Sequence, residues 1–373
     1  MKRRNLVVRA PGDLVLETED LPEVPEGGLL LETLATGLSA GTELTFVKGD
    51  HPGLHRQLDP ELALFLPSDE GAAYPVRRLG YMEVARVTQS RTAAFVVGDM
   101  VASPYGHATA HVSDPRREHV VPLPADLDPL LGVYVAHLGP ICVNGLLHAA
   151  YDAVGPGILS LGDGVRGRTV AVTGAGLIGL LTALFAQAHG AREVAVVDAD
   201  PRRRALAEQL GLLALSSADG AETADAGPAE VLKTRWRHAA ADHGADVVFQ
   251  CRGRTAALAT ALRIVRPQGA VVDLAFYTSG AADLLLGDEF HHNGLTIRCA
   301  QIGRVPRGTS ALWDRQRLSA ETLALLRSHG QVIRKHLITD VEPLASAPEL
   351  MADVAARRRH VLSAVFTTDL MAS

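Results

Sequence analysis

TVAVTGAGLIGLLTALFAQAHGAREVAVVDAD, residues 169–200, is the stretch whose reading decides the fold. RTVAVT is a run of β-branched and small residues and reads as a strand, LIGLLTALFAQAHG as a helix closing at Gly190, and EVAVVDAD as a second strand. Gly174, Gly176 and Gly179 form GxGxxG between the first strand and the helix, and Asp198 follows 19 residues after Gly179 at the end of the next strand. Gly174 permits the tight turn, Gly176 lets the backbone approach a pyrophosphate, and Gly179 lets helix and strand pack closely. The helix start at Leu177 and Ile178 offers free N–H groups and the positive end of the helix dipole to phosphate. Asp198 can accept hydrogen bonds from a ribose diol and would repel a 2′-phosphate. NAD is therefore the expected cofactor. Arg203, within the triplet Arg202–Arg204, keeps NADP open.

Outward from this segment the alternation continues. RRRALAEQL reads as helix, ADVVFQC as strand, TAALATALRIV as helix, GAVVDLAF as strand and LTIRCAQIG as a further strand, so a doubly wound parallel sheet is expected. Upstream, LVVRA, LVLETED, LLLETLATG, EVARVTQ and MVASPYG are short strands broken by turns and describe a β-rich unit. Residues 52–67 read as a loop with room for one helical turn, and 128–153 as a helix able to kink near Pro140. The polar stretch 216–228 reads as a loop. ETLALLRSHG and APELMADVAARRRH read as helices near the C-terminus.

Composition narrows the function. Of 373 residues, 47% are hydrophobic and 21% charged, which suits a globular protein of two domains with ample core. A net charge of −6 gives no electrostatic reason to expect nucleic acid as a partner. No stretch reaches the length of a membrane span. Arg9, Pro11 and Asp13 interrupt the first apolar run, which argues against a secretory signal. Cys142, Cys251 and Cys299 form no CxxC pair or disulfide framework, as in a reducing compartment, and a cytoplasmic location is expected.

The order of a β-rich unit, a dinucleotide fold starting near residue 150 and a short C-terminal return resembles the medium-chain dehydrogenase/reductase superfamily. Beyond GAGLIG the resemblance rests on AGTEL (40–44), VGDMV (97–101), GADVVFQC (244–251) and RPQGAVV (266–272). It implies an α/β fold: a Rossmann sheet over 146–299, and a GroES-like catalytic domain built from 1–145 and 300–373. It also implies a nicotinamide-dependent oxidoreductase acting on a small molecule, and a homo-oligomer, dimer or tetramer, joined through the sheet edge at LTIRCAQIG.

Many relatives carry catalytic zinc, but this chain departs from their ligand pattern. At the positions of the family's three ligands stand Ala40 (Ser39 if the alignment slips), Tyr81 within GYMEVARV, and Gly139–Pro140 within HLGPICVNG. A catalytic zinc needs about three protein ligands from Cys, His and carboxylate, so no metal is expected. A site rebuilt from His107, His111, His137 and Cys142 is the alternative. The four-cysteine lobe that holds structural zinc in relatives is absent too.

Without a Lewis acid, a hydrogen-bond donor must stabilise the oxyanion that develops during hydride transfer. Tyr81 is the first candidate, against the reading that its ring fills the volume zinc would take. The resemblance implies a proton-relay hydroxyl at Thr42 and an orienting acid at Glu43; His137 is a further acid/base candidate and Asn144 matches a cofactor-contacting position. His291, His292 and Asn293, with Arg304 and Arg307 nearby, could hold a polar substrate such as a sugar or cyclitol, or form a hydrogen-bonded hinge. The leading expectation is ketone reduction or secondary-alcohol oxidation, the likeness of SAGTEL and GYMEVARV to bacteriochlorophyllide dehydrogenases pointing the same way. Reduction of an activated C=C bond and a non-catalytic dinucleotide-binding role are the alternatives.

Overall fold

The computed structural model describes residues 1–67, 73–217, 227–282 and 284–371. Most of the polar loop expected over 216–228 lies outside the described residues. The chain divides into two compact units, one of Met1–Leu138 with Leu326–Ser373, the other of Gly139–Leu325. The second unit thus begins a few residues before the expected start at 146. It keeps the chain well past the expected return at 300.

Six parallel strands form the sheet of the second unit. Across the sheet they run Leu213–Ser216, Glu193–Asp198, Thr169–Thr173, Ala245–Gln250, Val265–Asp273 and Thr296–Cys299. In chain order this is 3-2-1-4-5-6, the doubly wound arrangement that binds ligands beyond the carboxyl ends of its strands. Every residue of Thr169–Thr173 is buried, as a central parallel strand covered on both faces requires. Trp236, Leu258, Leu262 and Val271 belong to the core on one face, together with Ala195 and Val248.

The first unit is β-rich. Leu29–Gly37 pairs antiparallel with Glu83–Ser90, with Ala110–Ser113 and with Ala364–Thr367. The last pairing is what returns the C-terminus to this unit. Residues 52–67, expected as a loop, instead make a single 3-10 turn (Pro52–Leu54) and a small hairpin, Arg56–Leu58 against Phe65–Pro67. The helix expected over 128–153 is two: Pro129–Gly132, capped by Asp128, and Leu138–Val154. The break falls before Leu138. Pro140 sits in the first turn of the second helix, where its missing N–H costs nothing. No helix among the described residues is long and apolar enough to cross a membrane.

Candidate functional site

The glycine-rich turn shows which of its glycines serve the protein and which serve a ligand. Gly174 has φ +100°, and a Cβ there would lie 2.9 Å from the Cβ of Arg252. A Cβ on Gly179 would lie 1.8 Å from the carbonyl oxygen of Gly174, so helix and turn could not pack. Gly176 is different. A Cβ there would meet only the Arg203 guanidinium, at 4.0 Å. Protein packing does not demand that glycine, whereas close approach of a phosphate group would. No side chain caps the helix Leu177–Ala188, so its first N–H groups remain for an anion.

Asp198 ends its strand 2% exposed. One carboxylate oxygen accepts the Ala175 N–H at 2.8 Å, the other the Asp200 N–H at 2.8 Å. Each oxygen keeps a further lone pair for a ribose hydroxyl. Arg203 lies 3.9 Å from the Asp198 carboxylate and is nearly half exposed. The other two arginines are committed locally: Arg202 to Asp200, whose carboxyl its hydrogen bonds hold down at about 2, and Arg204 to the carbonyls of Asp198 and Ala199. A cavity of about 350 Å³ opens beside this turn, lined by Gly174, Ala199, Ser217, Arg252, Arg254 and Thr260 among others. It has room for a nucleoside, and Arg252 and Arg254 are the charged groups on its wall. Neither arginine was singled out from the sequence. The available signal was their place just after the strand Ala245–Gln250, at the carboxyl edge of the sheet.

Behind that wall runs a buried chain. Thr173 donates to the Gln250 carbonyl at 2.6 Å, and the Gln250 amide donates to the Arg252 carbonyl at 2.6 Å and to the Tyr277 hydroxyl at 2.9 Å. Tyr277 in turn donates to Asp273 at 2.9 Å. Burial pushes the Asp273 carboxyl up, against the hydrogen bonds it accepts from Ala275 and Tyr277. Asn144 is fully buried and its amide donates to the carbonyls of Ala300, Gln301 and Arg304 at 3.1–3.3 Å. It pins the loop after the last strand.

His291, His292 and Asn293 lie elsewhere. They precede the strand Thr296–Cys299, and the Asn293 carbonyl accepts from Gln268 N. This is the amino edge of the parallel sheet, whereas Gly174, Asp198 and Arg252 lie at its carboxyl edge. Both histidines are exposed, and the His292 ring bonds the Gly287 carbonyl at 2.9 Å. The structure does not bring these three residues to the dinucleotide cavity. Their sequence proximity to Arg304 and Arg307 had suggested a shared substrate pocket, but a strand intervenes.

In the first unit, the helix Ala40–Lys48 and Tyr81 form a second polar constellation. The Tyr81 hydroxyl makes a short hydrogen bond with the Ser39 hydroxyl and lies 3.5 Å from Thr42 Oγ1. The His137 ring packs on the Tyr81 ring, centroids 4.4 Å apart and tilted by 43°. Thus Tyr81, Thr42 and His137, far apart in sequence, converge, and Ser39 joins them. Burial raises the Tyr81 phenol, while its bonds to Ser39 and Thr42 work the other way. Glu43 faces inward. Its carboxylate accepts the Ser39 N–H at 2.8 Å and sits 2.7 Å from His107 Nε2.

The zinc donor set does not assemble. Ala40 and Gly139 carry no ligand atom, and among the described residues no three or more His, Cys, Asp or Glu side chains converge for a metal. The alternative ligands are spent separately. His107 is paired with Glu43. His111 lies 3.3 Å from Glu83 and stacks on Tyr105, centroids 3.7 Å apart. Cys142, whose thiol burial pushes up to about 12, donates to the Ile178 carbonyl at 3.5 Å.

A glycine-rich turn on a 3-2-1-4-5-6 sheet, beside a separate β-rich unit carrying a tyrosine–serine–threonine cluster, defines a two-unit α/β fold of the dinucleotide-binding type. Comparison with known proteins agrees. Residues 178–315 match the zinc-binding dehydrogenase family. An uncharacterized zinc-type alcohol dehydrogenase-like protein, YdjJ of Escherichia coli, is 33% identical over 120 residues, and that stretch spans about a third of each chain (32%). Galactitol-1-phosphate dehydrogenase of Escherichia coli superposes with a TM-score of 0.74 at 18% identity, over 98% of this chain and 99% of the other. A candidate zinc-binding dehydrogenase from Sinorhizobium meliloti, bound to NADP, superposes with a TM-score of 0.72 at 20% identity over the same shares. In part of its sequence and in its fold the chain is similar to zinc-binding and alcohol dehydrogenases.

Proposed function

We propose that this protein is an NAD(P)-dependent dehydrogenase or reductase that works without zinc, interconverting a ketone and a secondary alcohol. The bound nicotinamide would supply or accept the hydride. Gly176, Leu177 and Ile178 would hold the pyrophosphate, and Asp198 and Arg203 the adenosine ribose, Asp198 favouring NAD. Tyr81 would protonate the developing alkoxide, a task for which a phenol is chemically suited.

The observation that carries this reading is the Tyr81 hydroxyl, flanked by the hydroxyls of Ser39 and Thr42, at the position where relatives resembling this chain place a zinc ligand. A hydroxyl donor aimed at oxygen supports carbonyl chemistry over C=C reduction. A polar, sugar- or cyclitol-like substrate stays part of this reading, supported by the likeness in fold to galactitol-1-phosphate dehydrogenase, although His291, His292 and Asn293 lie away from the dinucleotide cavity. The strand Thr296–Cys299 is the outermost of its sheet, which supports association of copies through that edge.

The test is turnover of a panel of ketones and enones with NADH and NADPH by metal-depleted protein. Ketone turnover that falls by about 10²–10⁴-fold in Tyr81→Phe, with dinucleotide binding retained, supports the proposal. Undiminished turnover in that variant, or turnover restored only by zinc, sinks it.

A further inference from the structure

Ser39 occupies the position before the helix Ala40–Lys48, where a serine hydroxyl ordinarily accepts an N–H from the second or third helical residue. It makes no such bond. Its hydroxyl is turned to Tyr81 instead. The end of the helix is held by other means: Glu43 accepts the Ser39 N–H at 2.8 Å, His107 Nε2 lies 2.7 Å from the other Glu43 oxygen, and His107 Nδ1 lies 2.7 Å from Thr36 Oγ1. The Glu43 and His107 side chains are 2% and 0% exposed. A buried, fully partnered pair thus fixes the Ser39 main chain and leaves its hydroxyl for Tyr81.

A phenol has one proton and accepts through its oxygen. For Tyr81 to give its proton to a ligand, that oxygen must accept from elsewhere, and Thr42 does not serve: at 3.5 Å it is the weak acceptor of the Tyr81 hydroxyl, which a ligand oxygen can replace. We propose that Ser39 is the positioning residue for Tyr81. Its O–H donates to the phenol oxygen, which frees the Tyr81 proton for the substrate and stabilises the phenolate left behind. In the step, the Tyr81 O–H bond breaks and the substrate O–H bond forms; the phenolate then recovers a proton from water. The pair Glu43–His107 keeps Ser39 in register. This inference rests on the reading of Tyr81 as the proton donor.

The test is alkaline ultraviolet titration of the full-length protein without cofactor. Subtracting the curve of each Tyr81→Phe partner isolates Tyr81 among the six tyrosines. In Ser39→Ala the Tyr81 ionisation should rise by about one pH unit or more, as loss of a hydrogen bond to a charged oxygen requires. kcat should fall about ten-fold or more with KM little changed, and the melting temperature should hold because Ser39 does not cap the helix. Ser39→Thr should restore both the ionisation and kcat. An unshifted ionisation, or a wild-type kcat, in Ser39→Ala overturns the proposal. If Tyr81→Phe itself keeps full activity, the functional reading falls, and the titration still decides separately whether Ser39 holds the phenol.

Discussion

The carboxylate of Asp198 accepts the main-chain N–H of Ala175 at 2.8 Å, so the acid at the end of the second strand is tied to the glycine-rich turn itself. Asp198 therefore shapes the turn, and in the proposed function it would also receive a ribose. Asp198→Ala should weaken NADH binding about ten-fold or more and lower the melting temperature as well, since two main-chain N–H groups lose an ionised acceptor, each worth about 1.5–3 kcal/mol. Fluorescence titration with NADH and a thermal melt check both arms.

Gly176 and Gly179 should separate binding from folding. Gly176→Ala adds a methyl into open space beside Arg203, so the melting temperature should stay near wild type while dinucleotide binding is lost. Gly179→Ala forces a carbon to within 1.8 Å of the Gly174 carbonyl oxygen and should yield unfolded or insoluble protein. Equal melting temperatures for the two variants would contradict the assignment.

Glu83 and His111 form a buried pair within the first unit, 3.3 Å apart, with Thr33 and Ser103 also donating to Glu83 at 2.6 Å. Burial alone would raise the Glu83 carboxyl, but His111 and these hydroxyls outweigh it and hold it below 4.5. A carboxyl depressed in the folded state stabilises above its unfolded pKa and loses that contribution as pH falls through the folded value. Wild type should therefore lose melting temperature as pH drops below about 4.5. Glu83→Gln should flatten that acid limb and cost about 3–5 kcal/mol at neutral pH by stranding His111. Thermal melts across an acid series measure it.

Metal analysis addresses the zinc-free reading directly. Purified protein should carry less than about a tenth of an equivalent of zinc, and dialysis against a chelator should leave melting temperature and NADH binding unchanged, because a catalytic zinc needs three protein ligands and none converge among the described residues. Stoichiometric zinc would locate ligands that neither the motif positions nor the side-chain geometry assign.

Asn144→Ala should destabilise the second unit by about 1–3 kcal/mol, since three carbonyls of the loop 300–304, that of Ala300 buried, lose their shared donor. Hydrogen exchange of that loop should rise together with the drop in melting temperature.

The sequence by itself determined the parts written locally. The strand–GxGxxG–helix unit, its spaced Asp198 and the alternation that makes a parallel sheet depend on neighbours or on fixed spacing, and these are what hydrophobic periodicity and turn chemistry record; the missing ligands at Ala40 and Gly139 are what the resemblance implies. Tertiary structure decided the rest. Strand order 3-2-1-4-5-6 carries Arg252 and Arg254 to the wall beside Gly174, and the parallel direction of the strands leaves His291–Asn293, read as substrate-holding or hinge residues, at the opposite edge from that turn. The same holds for Ser39. Along the chain nothing marks it beyond its place beside Ala40, and only the helix Ala40–Lys48 and the arrival of Tyr81 and His107 from distant segments show that its hydroxyl leaves the helix uncapped. Sheet pairing brings residues together by register and strand order, and neither is encoded in any one segment.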